Sequence, residues 1–556
     1  MKRQILALTI GFLLLNDCTT AQLLNHKINF THQDTLRGTN GIERAWWDVL
    51  HYDVNVTPDY SAKTITGKTI IQYKVLPGQR TDYMQVDLQK PLILDSIFYD
   101  NKFYINYPAK PYYNEGNVWH IPLPRSTANS IHSIAIAYHG KPREAIRPPW
   151  DGGWIFTKDE EGRPWMTVAC QGLGASVWYP CKDYQGDEPD NGATLTVNVP
   201  SNLVAVGNGR LDLKSEGPVD GKTSYKWEVK SPINNYTIVP YIGNYVSWTD
   251  TLQGEKGRLD LGYWVLDYDL AKAKKQFEQV KPMLRAFEYW FGPYPFYEDG
   301  YKLVESSHLG MEHQSAVAYG NHFENGYMGH AYPSSSKWAM KFDYIIIHES
   351  GHEWFANNIT TKDIADMWVH EGITTYSEAL YVEYYYGKEA GSEYVIAQRD
   401  AISNDKPIIG YYGVNQEGSG DMYAKGANML HTIRQVINDD EKFREILRGL
   451  NKDFYHQTVT SKQVENYFSE KSGKDLSKIF DQYLRTTQIP ALQLKADGDK
   501  IKFKWTNCIA GFNMPVKLTN GQWINPTTTE QKLKLEGSNL KDVTVDKNFY
   551  ITVNKG

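Results

Sequence analysis

The sequence predicts a multidomain α+β protein with an N-terminal antiparallel β domain, a mostly helical central domain and a short C-terminal β module. Three observations predict it. The length of 556 residues exceeds what one hydrophobic core usually serves. Alternating strand patterns fill the first part of the chain, and helical spacing of apolar residues replaces them from about residue 270. The alternation returns near the C-terminus.

The N-terminal β domain is assigned to residues 22–246. Within it, Tyr52–Val56 and Thr194–Val199 alternate apolar and polar residues between Pro, Gly and Asn turn signals. No long helical periodicity occurs in this part. Many short antiparallel strands are therefore expected.

The central domain is assigned to residues 247–490 and the C-terminal β module to residues 491–556. Tyr301–Glu305 is predicted as a strand, and Ile501–Trp505 and Val543–Val545 alternate again in the final module. The predicted helices span residues 270–291, 337–357, 368–386, 421–437, 440–450 and 461–486.

The first 21 residues have the layout of a secretory signal peptide. Lys2 and Arg3 precede an apolar run from Ile5 to Leu15, and a polar stretch then leads to Ala21. The run is too short to span a bilayer. Cleavage after Ala21 and an exported, periplasmic or extracellular protein are expected. Lipidation of Cys18, which would attach the protein to a membrane, is the less favoured alternative because the preceding residues are not small.

Composition excludes several other classes of protein. The formal net charge is −6, and no basic run indicates a nucleic-acid partner. The three cysteines after the predicted signal, Cys170, Cys181 and Cys508, are too few for a disulfide framework or a thiolate metal site. Spacing alone leaves open whether Cys170 and Cys181 pair.

The segment His348-Glu349-Ser350-Gly351-His352 has the pattern HExxH. On a helix, residues four apart share a face, so the two imidazoles can converge on one metal ion. Glu349 then lies where it can act as a general base on a water molecule. Chance gives about 0.02 such matches in a chain of this length and composition.

A third ligand is needed to leave one open position on a tetrahedral zinc ion. Position 358 is Asn, which closes the route in which a third histidine follows six residues later. Eighteen residues after His352, Glu371 opens the next predicted helix. Two histidines and one glutamate form a catalytic rather than a structural ligand set. We therefore predict one Zn²⁺ per chain, bound by His348, His352 and Glu371.

The HExxH motif, the following Trp354-Phe355, Asn357 and Glu371 together resemble the M1 family of zinc aminopeptidases, which are gluzincins. The likeness extends from Tyr52 to about Pro490. It implies a thermolysin-like catalytic domain and removal of the N-terminal residue from peptides.

Leu309-Gly310-Met311-Glu312-His313 resembles the GxMEN motif of that family. The resemblance implies that Glu312 binds the free α-amine of the substrate, beside Gly310 and Met311. An α-amino group is largely cationic at neutral pH, so a buried carboxylate can distinguish it from an internal amide. Leu309 and His313 depart from the motif, which puts the local substrate contacts in doubt but not Glu312.

Two further residues belong to the predicted site, and two neighbouring glutamates are considered beside them. Gln171 matches the position from which the β domain of the family reaches the amine, although a buried structural glutamine is the rival interpretation. Tyr423, in a YxKGA segment, matches the tyrosine that donates a hydrogen bond to the oxyanion of the intermediate. Glu378, two turns beyond Glu371, is either an acceptor for one zinc-binding histidine or a solvated charge. Glu353, where the family usually has Gln, is expected to be structurally neutral.

These assignments predict a zinc-dependent aminopeptidase in which Glu349 is the general base and Tyr423 assists. Its partners are peptides with a free N-terminus, and the oligomeric state stays undetermined. The alternatives are a zinc endopeptidase with the same metal chemistry, an epoxide hydrolase like one branch of the family, and an exported binding protein that has lost catalysis. Nothing in the sequence favours the last two.

Overall fold

The computed structural model describes residues 29–78, 80–103, 111–216, 221–535 and 543–555. The predicted signal peptide and Cys18 lie outside the described residues. No helix in the described ranges is long and apolar enough to cross a membrane.

The N-terminal part consists of β-strands preceded by one short helix, α1 (His32–Gly38). The strands are β1 (Trp47–Asp59), β2 (Thr64–Val75), β3 (Tyr83–Asp87), β4 (Ile93–Tyr99), β5 (Lys102–Phe103), β6 (Tyr113–Glu115), β7 (Val118–Pro122), β8 (Ile131–Gly140), β9 (Gly153–Lys158), β10 (Pro164–Ala169), β11 (Ala193–Pro200), β12 (Val204–Val206), β13 (Arg210–Glu216), β14 (Lys222–Val229) and β15 (Tyr241–Gly243).

These strands form three sheets. The largest has the order β13-β14-β11-β1-β2-β8-β4-β5, and the smaller ones are β12-β15-β10-β9 and β3-β7-β6. Every second side chain of β1 is buried along most of its length, which is the burial that the alternation at Tyr52–Val56 predicts. The pairing is antiparallel as predicted, except that β1 and β11 run parallel. The sheet is therefore mixed at that one place.

The central part joins a five-stranded sheet to a group of helices. The sheet has the order β16-β17-β18-β20-β19, with strands β16 (Tyr245–Gly254), β17 (Gly257–Leu266), β18 (Tyr301–Glu305), β19 (Gly310–Met311) and β20 (Val317–Tyr319). Strand β18 has the predicted bounds. The helices are α2 (Leu270–Gln276), α3 (Val280–Phe291), α4 (Tyr344–Gly351), α5 (Trp368–Tyr386), α6 (Lys388–Ala397), α7 (Ala424–Ile437), α8 (Asp440–Asp453), α9 (Ser461–Ser472) and α10 (Ser477–Arg485), and β21 (Ile359–Thr361) pairs with β22 (Gln457–Val459).

Three predicted helices are divided or shorter than expected. The segment 270–291 divides into α2 and α3, and the segment 461–486 divides into α9 and α10. The segment 337–357 contains α4 and a following irregular turn rather than one helix. Gly473 ends α9 with φ +68°, the left-handed conformation that glycine adopts at low cost. Helix α6 was not predicted, because it follows Gly387 without a separate apolar periodicity of its own.

The C-terminal part is a small β module, as the returning alternation predicts. Its four-stranded sheet has the order β27-β24-β23-β28, and a second pair joins β25 to β26. The strands are β23 (Ala491–Asp497), β24 (Lys500–Thr506), β25 (Val516–Lys517), β26 (Trp523–Ile524), β27 (Gln531–Lys534) and β28 (Thr552–Lys555). The stretch Val543–Val545 is not a strand and makes only one isolated bridge, from Val545 to Leu518.

The three cysteines in the described residues are free. No disulfide therefore links Cys170 and Cys181, which are both buried. Burial raises the pKa of both thiols well above the ordinary value, which keeps them protonated and unreactive.

Two hydrophobic cores meet at the edge of the central sheet. One core fills the β domain and the other fills the helical part and the C-terminal module. Strands β19 and β20 belong to the central sheet, but some of their side chains pack into the core of the β domain. These side chains, on or beside the two strands, are Met311, Ala316 and Ala318. The end of this sheet is therefore fixed from both sides, and HExxH lies next to it on α4.

Asp343 holds the start of α4. Its buried carboxylate accepts hydrogen bonds from the backbone amides of Ile345 and Ile346, from the Tyr319 hydroxyl and from the side chains of Gln276 and Asn321. One side chain thus caps the metal-binding helix and ties it to β20.

Replacing Asp343 by Ala is expected to lower the free energy of unfolding by about 2–4 kcal/mol, because a cap is lost and buried donors are left without an acceptor. Urea denaturation measures the loss. The matched control is Asp439→Ala, which removes the exposed cap of α8 and is expected to cost about 1 kcal/mol. Equal losses in the two variants would contradict the assigned role of Asp343.

Candidate active site

The two histidines of HExxH face one buried carboxylate. The Nε2 atoms of His348 and His352 lie 3.6 Å and 3.3 Å from Oε2 of Glu371. The three residues are buried, and their ligand atoms all lie within 4.8 Å of one another. The structure thus brings together the three residues that the sequence predicted.

The outer nitrogen of each histidine is already engaged. Nδ1 of His348 lies 2.7 Å from Oε1 of Glu378, and Nδ1 of His352 lies 3.0 Å from the carbonyl oxygen of Phe355. These acceptors favour a proton on Nδ1, which leaves the Nε2 lone pairs directed inwards. Such an arrangement is typical of histidines that bind a metal.

The donor set also fits a cation because Glu371 Oε2 is buried without a hydrogen-bond donor among the described residues. A buried carboxylate oxygen needs a partner to offset the loss of water. Burial acts to raise the pKa of Glu371, but the two imidazoles, in their protonated form, outweigh burial and hold the pKa well below its ordinary value. The group is therefore ionised, as a metal ligand must be.

A break in the helix after His352 supplies the acceptor for that histidine. Phe355 and Ala356 leave the helical conformation, and Ala356 has φ +147°, which is rare for a residue with a side chain. The break turns the Phe355 carbonyl back towards His352. The predicted continuous helix would have kept this carbonyl in the helical ladder, so this contact could not be predicted from the sequence.

Glu378 accepts the hydrogen bond from His348. Of the two interpretations of Glu378, an acceptor for a zinc-binding histidine or a solvated charge, the first is therefore confirmed. The Glu378 side chain has no exposed surface, and Oε2 accepts hydrogen bonds from Tyr394 and Gln398.

The prediction for Glu353, in contrast, is wrong. This buried carboxylate accepts from the Ser315 amide and the Tyr294 hydroxyl, so it ties the helix end to the loop after Glu312.

Glu371 reaches the site because two helices come unusually close beside it. A Cβ atom on Gly372 would lie 3.3 Å from Cα of Gly426, and one on Gly426 would lie 3.0 Å from Cα of Gly372. The glycines let the first turns of α5 and α7 touch. This contact also places Tyr423, which precedes α7, in the cleft.

The general-base candidate Glu349 lies in the same cleft. Burial raises its pKa to about 7, although the neighbouring His348 and His352 act to lower it. Strand β19 passes so close that a Cβ atom on Gly310 would lie 2.6 Å from Oε1 of Glu349. A side chain at this position of the motif would therefore have to displace the Glu349 carboxylate.

Glu312 lies beside the metal ligands rather than among them. Its carboxylate, that of Glu349 and the ring of His352 form a second buried group whose ligand atoms all lie within 4.8 Å of one another. Oε1 of Glu312 accepts hydrogen bonds from Gln171 Nε2 at 2.5 Å and from the Tyr236 hydroxyl at 2.9 Å. Gln171 thus reaches this carboxylate from the β domain, and Tyr236 is a partner that the sequence analysis missed.

The remaining predicted residues line the same cleft. Met311 lies in its wall, together with Leu309, Trp150 and Tyr327. The ring of Tyr423 stacks on His348 with centroids 6.1 Å apart. His313 lies outside the cleft lining: it is buried, and its Nδ1 lies 2.5 Å from the Tyr241 hydroxyl. This departure from the motif thus serves packing.

Comparison with known protein families decides the relationship. The model of the peptidase family M1 domain matches residues 275–483, and that of the peptidase M1 N-terminal domain matches residues 49–237.

The chain belongs to peptidase family M1.

Among curated members of the M1 family, the chain is 22% identical over 441 residues to probable aminopeptidase 2 of Sulfurisphaera tokodaii, with 74% of this chain and 53% of the relative covered. It is 24% identical over 424 residues to aminopeptidase M1-B of Oryza sativa, covering 70% of this chain and 45% of the relative. The chain therefore spans about half the length of these relatives.

A solved M1 zinc metallopeptidase from Deinococcus radiodurans has a similar fold. The TM-score is 0.66 at 19% sequence identity, and the match covers 80% of this chain and 94% of that chain. Both the β domain followed by a helical catalytic domain and the His-His-Glu group for zinc agree with M1 membership.

Replacing Glu378 by Gln is expected to weaken zinc binding about 10- to 100-fold, because His348 loses the carboxylate that orients it. A competition titration with a chromogenic chelator measures the zinc Kd. Glu383→Gln on the same helix is the control, since Glu383 pairs with Arg434 and not with a histidine. An unchanged zinc Kd in Glu378→Gln would contradict this role.

Proposed function

We propose that this M1 family member is a zinc-dependent aminopeptidase that hydrolyses the first peptide bond of substrates with a free N-terminus. The observation that carries the proposal is the buried carboxylate of Glu312 beside Glu349 and His352. A mutant of the Deinococcus radiodurans enzyme has been solved with a Tyr-Ser-Ala substrate, which supports a peptide as the substrate class.

Glu312 suits a cationic group. Its side chain is 2% exposed, and no lysine or arginine in the described part of the chain forms an ion pair with it. Burial raises its pKa, and His352 opposes this rise. An α-ammonium group would stabilise the ionised carboxylate by a charge-assisted hydrogen bond, which an internal amide cannot supply. This difference would limit cleavage to the first residue.

Glu349 has the position and the proton affinity of a general base. Bound zinc would supply Lewis acidity to a water molecule and to the scissile carbonyl group. Glu349 accepts a proton from the attacking water and donates it to the leaving nitrogen. A pKa of about 7 suits both steps, because a base that is too weak accepts slowly and one that is too strong does not release the proton.

Tyr423 is the proposed oxyanion donor. Burial raises the pKa of its hydroxyl well above the ordinary value, so the group keeps its proton at neutral pH. A protonated phenol in the cleft can donate a hydrogen bond to the oxygen that gains negative charge during attack. Loss of one such donor typically lowers kcat about 10²- to 10³-fold.

The test compares an aminoacyl-arylamide with a free amine and the same substrate after N-acetylation. The zinc-loaded protein is expected to hydrolyse the free form at least about 100-fold faster, as kcat/KM, since the acetyl group removes the charge that Glu312 recognises. Glu312→Gln is expected to reduce this preference strongly.

Glu349→Gln is the control, because it is expected to retain zinc and lose nearly all turnover on either substrate. Equal cleavage of free and acetylated substrates by the wild type would indicate the endopeptidase alternative. A zinc-loaded wild-type protein without turnover on peptides or arylamides would indicate the catalytically silent binding protein.

We also propose that the protein is exported. The support is the N-terminal pattern of Lys2, Arg3 and the apolar run to Leu15, followed by Ala21. On expression of the full chain in a bacterial host, the mature protein is expected in the exported fraction with Gln22 as its first residue. A protein that retains Met1 in the cytoplasmic fraction would contradict export, and a lipid on Cys18 would establish the membrane-attached alternative.

A further inference from the structure

The turn that carries Gln171 follows β10 and is contacted by residues from outside the sheet to which β10 belongs. The carbonyl oxygen of Gly172, the next residue, accepts two hydrogen bonds, each of 3.1 Å. One comes from Nη2 of Arg37 on α1, and the other from Nδ2 of Asn415 in the loop before α7. The donors reach the turn from the N-terminal segment and from the helical part of the molecule.

Helix α1 is docked firmly enough to present Arg37. The side chain of Gln33 bonds both the carbonyl of Glu115 and the amide of Asn117. At the other end, the carbonyls of Arg37 and Thr39 accept hydrogen bonds from the buried guanidinium of Arg44.

Helix α1 also contacts the central, helical part of the molecule directly. The amide of Asn415 donates to the carbonyl of Asp34 at 3.1 Å. A Cβ atom on Gly38 would lie 2.4 Å from the backbone of Val414, so the helix and this loop are in close contact. Residues 414–415 thus contact both α1 and the turn.

The space beside Gly174 in this turn is filled. A Cβ atom on Gly174 would lie 2.0 Å from both Nη2 of Arg37 and Oδ2 of Asp183. The same two atoms lie 3.5 Å apart, so Asp183 fixes the guanidinium against the turn. Within the turn, Gly172 and Gly174 have φ of +67° and +95°, conformations that glycine allows but does not enforce. The turn also has its own backbone hydrogen bonds, from the amide of Gly174 to the carbonyl of Cys170 and from the amide of Leu173 to the carbonyl of Gln171, and the outside contacts add to these.

We propose that Arg37 and Asn415 are positioning residues that hold Gln171 against Glu312 and thereby set the affinity for the free amine of the substrate. The contacts form one chain: both donors fix the Gly172 carbonyl, Gly172 adjoins Gln171, and Gln171 donates to Glu312. The inference rests on the proposed function, because it concerns the amine site of that function.

The expected signature is a change in KM rather than in kcat. A misplaced Gln171 weakens a contact to the amine that is made equally in the bound substrate and in the transition state. The zinc ligands and Glu349 receive no contact from Arg37 or Asn415. A purely destabilising effect would instead lower the amount of active enzyme and leave KM unchanged.

The experiment uses the zinc-loaded full chain and two hydroxamate inhibitors, an aminoacyl hydroxamate and its counterpart without the amine. Both inhibitors bind zinc, and only the first can use the amine site. The variants are Arg37→Met, which keeps an unbranched apolar stem but lacks the guanidinium group, and Asn415→Asp, which keeps the size of the side chain. Each removes a donor to Gly172.

In each variant, the Ki of the amine-bearing inhibitor and the KM of a free-amine substrate are expected to rise about tenfold, as loss of one hydrogen bond of moderate strength predicts. The Ki of the inhibitor without the amine and kcat are expected to stay within about twofold of wild type. If Arg37→Met does not fold, Asn415→Asp decides the outcome.

Gln33→Ala is the matched control on α1, because it removes a docking contact but no donor to Gly172. It is expected to leave unchanged the ratio of the Ki for the inhibitor without the amine to the Ki for the inhibitor with the amine. If this ratio stays at the wild-type value in both donor variants, or falls as much in Gln33→Ala as in them, the positioning role alone is overturned. A wild-type protein that binds both inhibitors equally well would overturn the proposed amine site and, with it, this inference.

Discussion

Burial of several carboxylates around two imidazoles is the constraint on which the rest of the structure depends. Glu312, Glu349, Glu371 and Glu378 are each at most 8% exposed. Removing an ionised carboxylate from water costs several kcal/mol unless opposite charge and hydrogen bonds offset the cost. Glu378 has three polar partners, whereas Glu371 Oε2 has no hydrogen-bond donor in the described structure. The site therefore requires cations: its geometry fits a zinc ion, and the proposed substrate amine would be a second cation.

This requirement explains why the surrounding structure is so strongly braced. The metal-binding helix is capped by Asp343, its far end is tied by Glu353, and Asn357 donates to the backbone carbonyl of Glu312 at 2.9 Å. Each contact joins the helix to the strands beside it. Carboxylates that repel one another would otherwise separate or take up protons, and either change would remove the affinity for cations.

The sequence predicts the parts of this site that depend on short-range spacing. His348, Glu349 and His352 lie within one helical turn and a half, so their common face follows from helix geometry. The order of strand-rich and helix-rich parts also follows from periodicity. Glu371 was predicted from its spacing to His352 and from the need for a third ligand. Glu312, Gln171 and Tyr423 come from three other elements, and it was the resemblance to a family that assigned them to the site.

What could not be predicted depends on contacts between distant elements. In the broken helix after His352, the Phe355 carbonyl contacts a histidine ring instead of a backbone amide, and the sequence pattern predicts a continuous helix there. Glu353 was misjudged because its partners, Ser315 and Tyr294, are far away in sequence. The parallel pairing of β1 with β11 likewise depends on the topology of the whole sheet.

The amine site illustrates how the two halves of the molecule depend on each other. Glu312 follows a strand of the central sheet, its partners Gln171 and Tyr236 come from the β domain, and the turn of Gln171 is bonded by the loop before α7. A shift of either half would separate the amide of Gln171 from the carboxylate, because hydrogen bonds weaken steeply with distance and angle. The proposed recognition of a substrate amine is therefore expected to depend on the packing between the domains, whereas the zinc ligands lie within the helical part alone. For this reason the two functions of the site can be separated experimentally.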